Sequence, residues 1–458
     1  MTLTILRNKL LLWIVGAYLI LNYGMMLVRI PPGGQGVPIG ELLIIIILLT
    51  VHLPSTGSRL NTVFPLLLLL CWWGYVFVRA ISGVNEYGLW ALRDATNVIE
   101  SIFLLGGFAF AQRPENIEKL FNWLPKFLII ACLYGLSYPF GHLIQSISPK
   151  IVSGSGQIVA LFGTYTNTSV ILLWSAFYLM IFMTEQHTKK VQKYSIAAFL
   201  VGFTLILFQA RTIYLQVLAV SLVFLFYKKE LTGKGVMAVI LCLFFVSLLP
   251  ELGMTITGRI GQKVSLDFFY KHFLAIFGIA NEGVKQAANG VFQRTGWWSS
   301  IYYRLISNWS NLLTGLGYGF PLIDFHITGG VPVREPHNSY ISFAARSGLV
   351  GLMFFLWVHV KLLRIWQETY KHCKRLSWEQ GANRLLALLV YFILIWVFAI
   401  GEDAFEKPFN AIPYYFLWGI VLRFAYHLKM GKIGPLQGTH ANINNSYSKK
   451  NKHESLKK

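Results

Sequence analysis

Arg334, Glu335, His337 and Asn338 fall within five residues, directly before the apolar run Ile341–Val358. A histidine titrates near neutrality and can take a proton from a hydroxyl nucleophile. Placed at the mouth of an apolar helix, with Asn338 or Ser339 free to cap that helix, His337 could meet a polar acceptor at a membrane surface. A lone histidine is more often structural, so the surrounding cations matter. Arg211 lies between apolar stretches on both sides. An arginine near membrane depth costs at least about 2.5 kcal/mol and usually faces a cavity or a partner. The plainer alternative is a helix-end arginine snorkelling to lipid headgroups. Residues 292–321 add Arg294, Arg304, Trp297, Trp298, Trp309 and the run "GLGYG". Tryptophan and tyrosine favour the membrane interface, so these arginines could equally pair lipid phosphates there. "GLGYG" follows no strand pattern, which excludes a dinucleotide fingerprint.

These residues must be positioned by a chain that is mostly apolar. Of 458 residues 55% are hydrophobic and 13% charged, with mean hydropathy +0.55. Soluble domains carry roughly a quarter charged residues, so lipid is the solvent and the fold class is all-α, polytopic membrane protein. The net charge of +21 sits in short basic runs between apolar spans, as positive-inside loops do, rather than on one face. Nucleic acid is therefore excluded as a partner. Cys71, Cys132 and Cys242 lie inside apolar spans and Cys373 in a basic loop, without disulfide or zinc spacing. The acids Asp267, Glu282, Asp324, Glu335, Glu402, Asp403 and Glu406 show no calcium or magnesium spacing, and "GEDAFEKP" reads as a charged hairpin. No metal and no cofactor are expected. Arg7 and Lys9 precede an apolar run too long for a cleavable signal, which makes it a first helix.

Apolar periodicity predicts spans near 10–28, 39–54, 63–81, 95–111, 121–141, 168–184, 194–209, 212–227, 235–252, 338–364, 383–401 and 411–427, about twelve transmembrane helices in all. The basic loops Glu185–Lys193 and Lys228–Lys234 should both be cytoplasmic, so an even number of passes separates them. The 34 residues Tyr194–Tyr227 would be about 51 Å long as one helix; they must fold as a hairpin turning near "QAR" on the outside. The next span leads outward, which makes residues 255–336 a long periplasmic loop with amphipathic helices, one predicted over 265–290 around a polar-face His272. The organisation is then residues 1–254 as helices 1–9, the 255–336 loop, residues 337–428 as helices 10–12, and a disordered basic cytoplasmic tail over 429–458. Both termini are expected in the cytoplasm, with Arg211 and His337 together on the external face.

"REPHNSYISFAARSGLVGL" resembles the C-terminal motif of the O-antigen ligase and O-antigen polymerase superfamily, in which Pro-His-Asn precedes a glycine-flanked helix. "RTGWWSSIYYRLISNWSNLLTGLGYG" is similar to that family's Trp-Trp stretch, and "FQARTIYL" to its arginine hairpin, with Ala210 where serine is commoner. "GQIVALFGTYTNTS" departs from the family pattern, so no role is carried onto Thr164 or Asn167. The likeness spans roughly residues 160–400. It implies a GT-C-like membrane glycosyltransferase of the bacterial inner membrane. Such an enzyme moves a glycan from undecaprenyl diphosphate to a hydroxyl of a lipid A core or a growing polysaccharide, inverting the anomeric carbon without metal. On that expectation His337 is the catalytic base. Arg211 and Arg294 bind the diphosphate, and Arg304, Arg334 and Asn338 are further substrate-binding candidates. A polysaccharide flippase or secondary transporter and a protein O-oligosaccharyltransferase are the alternatives. Transporters bind near the midplane, often in repeated halves, whereas here no repeat is visible and the polar residues gather outside.

Overall fold

The computed structural model describes residues 3–30, 37–51, 65–152, 158–163, 167–182, 190–208, 210–229, 285–323, 325–327 and 331–435, with single positions at 233, 270 and 274. The expected span at 235–252, Cys242, the stretch around His272 and the tail beyond 435 lie outside the described residues.

The architecture is helical. In chain order the helices are α1 (Leu3–Leu21), α2 (Tyr23–Leu27), α3 (Leu43–Thr50), α4 (Leu66–Tyr87), α5 (Leu89–Asp94), α6 (Thr96–Ile99), α7 (Phe103–Phe110), α8 (Pro114–Leu136), α9 (Gly141–Ile147), α10 (Thr168–Phe182), α11 (Lys190–Phe208), α12 (Arg211–Tyr227), α13 (Lys285–Ile306), α14 (Trp309–Thr314), α15 (Ser339–Arg375), α16 (Glu379–Gly401) and α17 (Pro408–Lys429). Among the described residues three short antiparallel hairpins, starting at Arg29, Lys150 and Phe325, interrupt them. Among the described residues five helices are long and apolar enough to cross a membrane, by length and composition: α1, α4, α8, α15 and α16. Residues 96–110, α10, most of α11 and α12 are shorter apolar helices. Leu67, Phe77, Leu133 and Phe226 are more than half exposed on helices of this composition, as lipid-facing side chains would be. An all-α membrane protein follows; the expected twelve spans are not reached among the described residues.

Two helices form the centre. α17 is buried along nearly its whole length and runs against α7. Small residues permit this approach, because a Cβ at Gly107 would meet Phe416 O at 1.9 Å and one at Gly419 would meet Leu104 O at 2.2 Å. α16 is the other, and its neighbours donate to its carbonyls: Trp174 of α10 to Ala387 at 2.8 Å, Gln216 of α12 to Leu394 at 2.9 Å, and Tyr340 of α15 to Trp396 at 2.9 Å. In an apolar surrounding such buried polar bonds specify which helix faces which.

α15 runs 37 residues rather than ending near 364, because its hydropathic stretch continues into an amphipathic, basic half. It breaks at Gly348, whose φ of 65° and ψ of −168° are not helical. The "GLGYG" turn docks into that break. Leu316 N–H donates to Ala345 O at 2.7 Å and Gly317 N–H to Arg346 O at 3.2 Å, while Tyr75 Oη donates to Ser347 O at 2.8 Å. Carbonyls freed by the kink are thus satisfied, as membrane depth demands. Glycine is required at both surfaces of the contact: a Cβ on Gly315 would meet Arg346 C at 2.5 Å, and one on Gly348 would meet Leu313 O at 2.3 Å. This contact pins the segment after α14 to the helix that begins just after His337.

Candidate active site

Helix ends and one hairpin converge around His337. The backbone there is strained: φ at His337 is 51°, in the left-handed region that a non-glycine side chain rarely occupies. Such a conformation costs on the order of 1–3 kcal/mol and persists only where the surroundings over-determine it. They do so here from both sides. Trp298 Nε1 donates to Pro336 O at 2.8 Å. Asn338 caps α15, accepting from Ile341 N at 3.1 Å, and its Nδ2 donates to Ile400 O at 2.9 Å. Trp297 lies against the imidazole, with ring centroids 6.1 Å apart. The paired tryptophans therefore hold the histidine segment, a role beyond interfacial anchoring.

The turn between α16 and α17 supplies the carboxylates. His337 Nδ1 is 3.3 Å from Asp403 Oδ2 and 3.5 Å from Glu402 Oε2. Burial opposes charging of the imidazole, but Asp403 and Glu402 overcome it and raise its pKa to about 9. Both carboxyls are held below their usual range in return, chiefly by His337, against the cost of burial. At neutral pH the resting pair is imidazolium and carboxylate. Glu406, three residues on, differs: burial, then the charges of Asp403 and Glu335, push its carboxyl up to about 8. Its Oε2 is 2.5 Å from Ser339 Oγ.

On the other side of Glu402 stand the guanidinium groups. Arg294, on α13, donates from Nη1 to Gly401 O at 2.6 Å and lies 3.4 Å from Glu402 Oε1. Arg211 opens α12, and its neighbour Thr212 presses on the same glycine, where a Cβ would meet Thr212 Cγ2 at 2.5 Å. Arg211 and Arg294 are close enough to repel one another. Arg211 has no hydrogen bond to the described residues, and its Nη2 is buried. The structure thus brings together Arg211, Arg294 and His337, from segments far apart in the chain.

Arg304 and Arg334 are placed elsewhere. Arg304 lies ten residues beyond Arg294 on α13, about 15 Å along the axis, with its guanidinium 5.7 Å from the Phe320 ring centroid. Arg334 packs over Trp90 at 4.2 Å and donates to Asp94 Oδ2 at 3.1 Å and Gly319 O at 2.5 Å. It belongs to a buried ion network in which Arg346, fully buried, pairs with Asp94 at 2.7 Å and with Glu335. Gly319 N donates to the same Asp94 carboxylate at 3.0 Å. Asp94 thereby ties α5, the glycine turn and the His337 loop into one block. Asn338 is occupied as a cap and brace.

Glu402 and Asp403 were legible only as a charged hairpin, and Asp94 and Arg346 gave no signal of their own. A turn carrying three acids between two apolar helices, in a chain with 19 acidic residues in all, was the available clue.

Lys407 is 3.9 Å from Asp403. Arg211, Arg294, protonated His337 and Lys407 set four cations against the two carboxylates of Glu402 and Asp403, a surplus of two positive charges. A diphosphate diester carries about two negative charges and accepts charge-assisted hydrogen bonds at each phosphate.

Residues 195–356 match the protein family described as O-Antigen ligase. No curated protein matches the chain. The matched segment contains Arg211, Arg294 and His337 and stops before Glu402 and Asp403. This O-antigen ligase domain supports the likeness to the O-antigen ligase and O-antigen polymerase superfamily that the motifs carry.

Proposed function

We propose that the protein transfers a glycan from a lipid diphosphate, undecaprenyl diphosphate, to an acceptor hydroxyl at the periplasmic face of the inner membrane. The half-buried guanidinium of Arg211, whose Nη2 is buried without a partner among the described residues, carries this assignment beside Arg294. Two neighbouring cations repel unless an anion joins them, and a guanidinium offers a phosphate paired N–H donors. Departure of the diphosphate concentrates negative charge on its bridging oxygen. Cations fixed in a water-poor site stabilise that charge far more than they would in bulk water.

His337 takes the proton from the acceptor oxygen as that oxygen bonds to the anomeric carbon and the carbon–diphosphate bond breaks. The electron pair leaves on the diphosphate, and attack from the opposite side inverts the carbon. Asp403 and Glu402 orient the ring and stabilise the imidazolium formed. Positioned proton transfer of this kind contributes roughly 10²–10⁴-fold. A second reading is favoured by the imidazolium already present at neutral pH: His337 would donate to the leaving diphosphate, with a carboxylate as base. The two differ in their response to pH.

His337→Ala should abolish glycan transfer while membrane insertion is retained, and Arg211→Ala or Arg294→Ala should weaken use of the donor. Transfer by the His337 variant at the wild-type rate would remove that residue from the chemistry. Deleting the gene separates the acceptors. Loss of all long surface glycan from an intact lipid core indicates a ligase, and a core bearing one repeat indicates a polymerase.

A further inference from the structure

The far end of α17 holds a second group of cations. Arg423 lies fifteen residues beyond Pro408, about 22 Å along the helix from the His337 site. It is 6% exposed, packed between the rings of Phe108 at 4.7 Å and Tyr426 at 4.8 Å. Its Nε and Nη1 are buried, and its guanidinium makes no hydrogen bond to the described residues. His427 lies one turn on and Lys432 folds back over it, with Lys432 N donating to His427 O at 2.9 Å. Both Arg423 and Lys432 bear on His427 electrostatically, and among the described residues the groups acting most strongly on Arg423 or His427 include no carboxylate.

Neighbouring cations at this end have other employment. Arg7 donates to Thr50 O at 2.9 Å and Ala109 O at 3.1 Å, and the His427 Nε2 is 2.9 Å from Ala111 O. They satisfy carbonyls at the C-termini of α3 and α7, where hydrogen-bond donors are favoured. Arg423 has no such duty. Burying an arginine without an acid or a carbonyl is costly, so its charge calls for an anion supplied from outside the chain. Basic loops put this end in the cytoplasm, where the leaflet carries anionic headgroups and basic pockets between helices bind them.

We propose that Arg423 and Lys432 form a binding site for the phosphate of an anionic membrane lipid, at the end of the bundle opposite His337. The site is distinct from the diphosphate clamp of Arg211 and Arg294 and takes no part in transfer.

The test uses the full-length protein in detergent, with phosphatidylglycerol or phosphatidylcholine of the same acyl chains added back and thermal unfolding followed. Phosphatidylglycerol should raise the unfolding temperature above the phosphatidylcholine value. Arg423→Gln and the exposed Lys432→Gln should each weaken the apparent affinity for phosphatidylglycerol by about tenfold, the loss of roughly one charge-assisted hydrogen bond. Lys371→Gln, on the cytoplasmic half of α15, should leave that affinity unchanged. Equal unfolding temperatures with the two lipids would overturn the proposal, as would full phosphatidylglycerol stabilisation in both site variants. Inorganic phosphate matching the lipid at equal concentration would replace the lipid by a soluble ligand. Lys432→Gln should keep wild-type transfer activity; its loss would contradict a site separate from the reaction.

Discussion

Replacing Asp403 by Asn should move the pH dependence of transfer in a defined direction. His337 titrates at about 9 rather than 6.5 because two carboxylates outweigh its burial. Asp403 is the nearer of the two, at 3.3 Å, and only 4% of its side chain is exposed, against 31% for Glu402. It therefore supplies the larger share. Removing one such charge lowers an imidazole pKa by about one to three pH units. In the wild type roughly one imidazole in a hundred is neutral at pH 7, so a base mechanism predicts a rate rising about tenfold per pH unit and levelling near pH 9. In Asp403→Asn the level should be reached one to three units lower, at a reduced plateau because the imidazolium loses its closest counter-charge. The assay is the initial rate of glycan transfer between pH 6 and 10, with donor and acceptor saturating. A wild-type rate that is flat to pH 9 and then falls would refute the base and favour the imidazolium as donor. A midpoint unmoved by Asp403→Asn would refute the coupling itself.

Stability carries the same signature. The raised pKa of His337 contributes stability fully below about pH 6.5 that disappears as pH rises through 9, so the unfolding temperature should fall over that window in the wild type relative to His337→Ala. Glu406 has the same sign over a lower window: its carboxyl, pushed up to about 8, resists ionising in the fold, and Glu406→Gln should gain stability over the wild type as pH rises from 4.5 through 8. Arg346→Leu takes from Glu335 its ion-pair partner among the described residues and leaves Asp94 with Arg334 alone, and should cost about 3–5 kcal/mol in thermal or denaturant unfolding. Gly348→Ala drives a Cβ to within 2.3 Å of Leu313 O; it should displace the glycine turn and reduce folded yield on size exclusion.

What the sequence displayed and what it concealed follow from the range of the forces involved. Apolar runs and basic loops are local signals, and they located α4, α10, α12 and α16 to within a few residues. The turn inferred near "QAR" falls where α11 ends and Arg211 opens α12. The parity of the crossings led only to the expectation that Arg211 and His337 share one external face; their convergence with Arg294 is seen in the structure. The carboxylates that tune His337 were not legible, because Glu402 and Asp403 reach it only through the packing of α15 on α16. Neither was Arg346, whose charge sits in the apolar half of α15 and is explained by Asp94, 252 positions earlier in the chain. Arg334 shows the converse: a cation beside the histidine in sequence can be spent entirely on structure.

Titration of a short-chain prenyl diphosphate into purified wild type and Arg211→Ala tests the anion clamp without requiring turnover. Arg211 has no hydrogen-bond partner among the described residues to lose, so the variant should be no less stable than the wild type and should bind the diphosphate at least about tenfold more weakly. Equal affinity in the two proteins would contradict the claim that this guanidinium holds the donor's diphosphate.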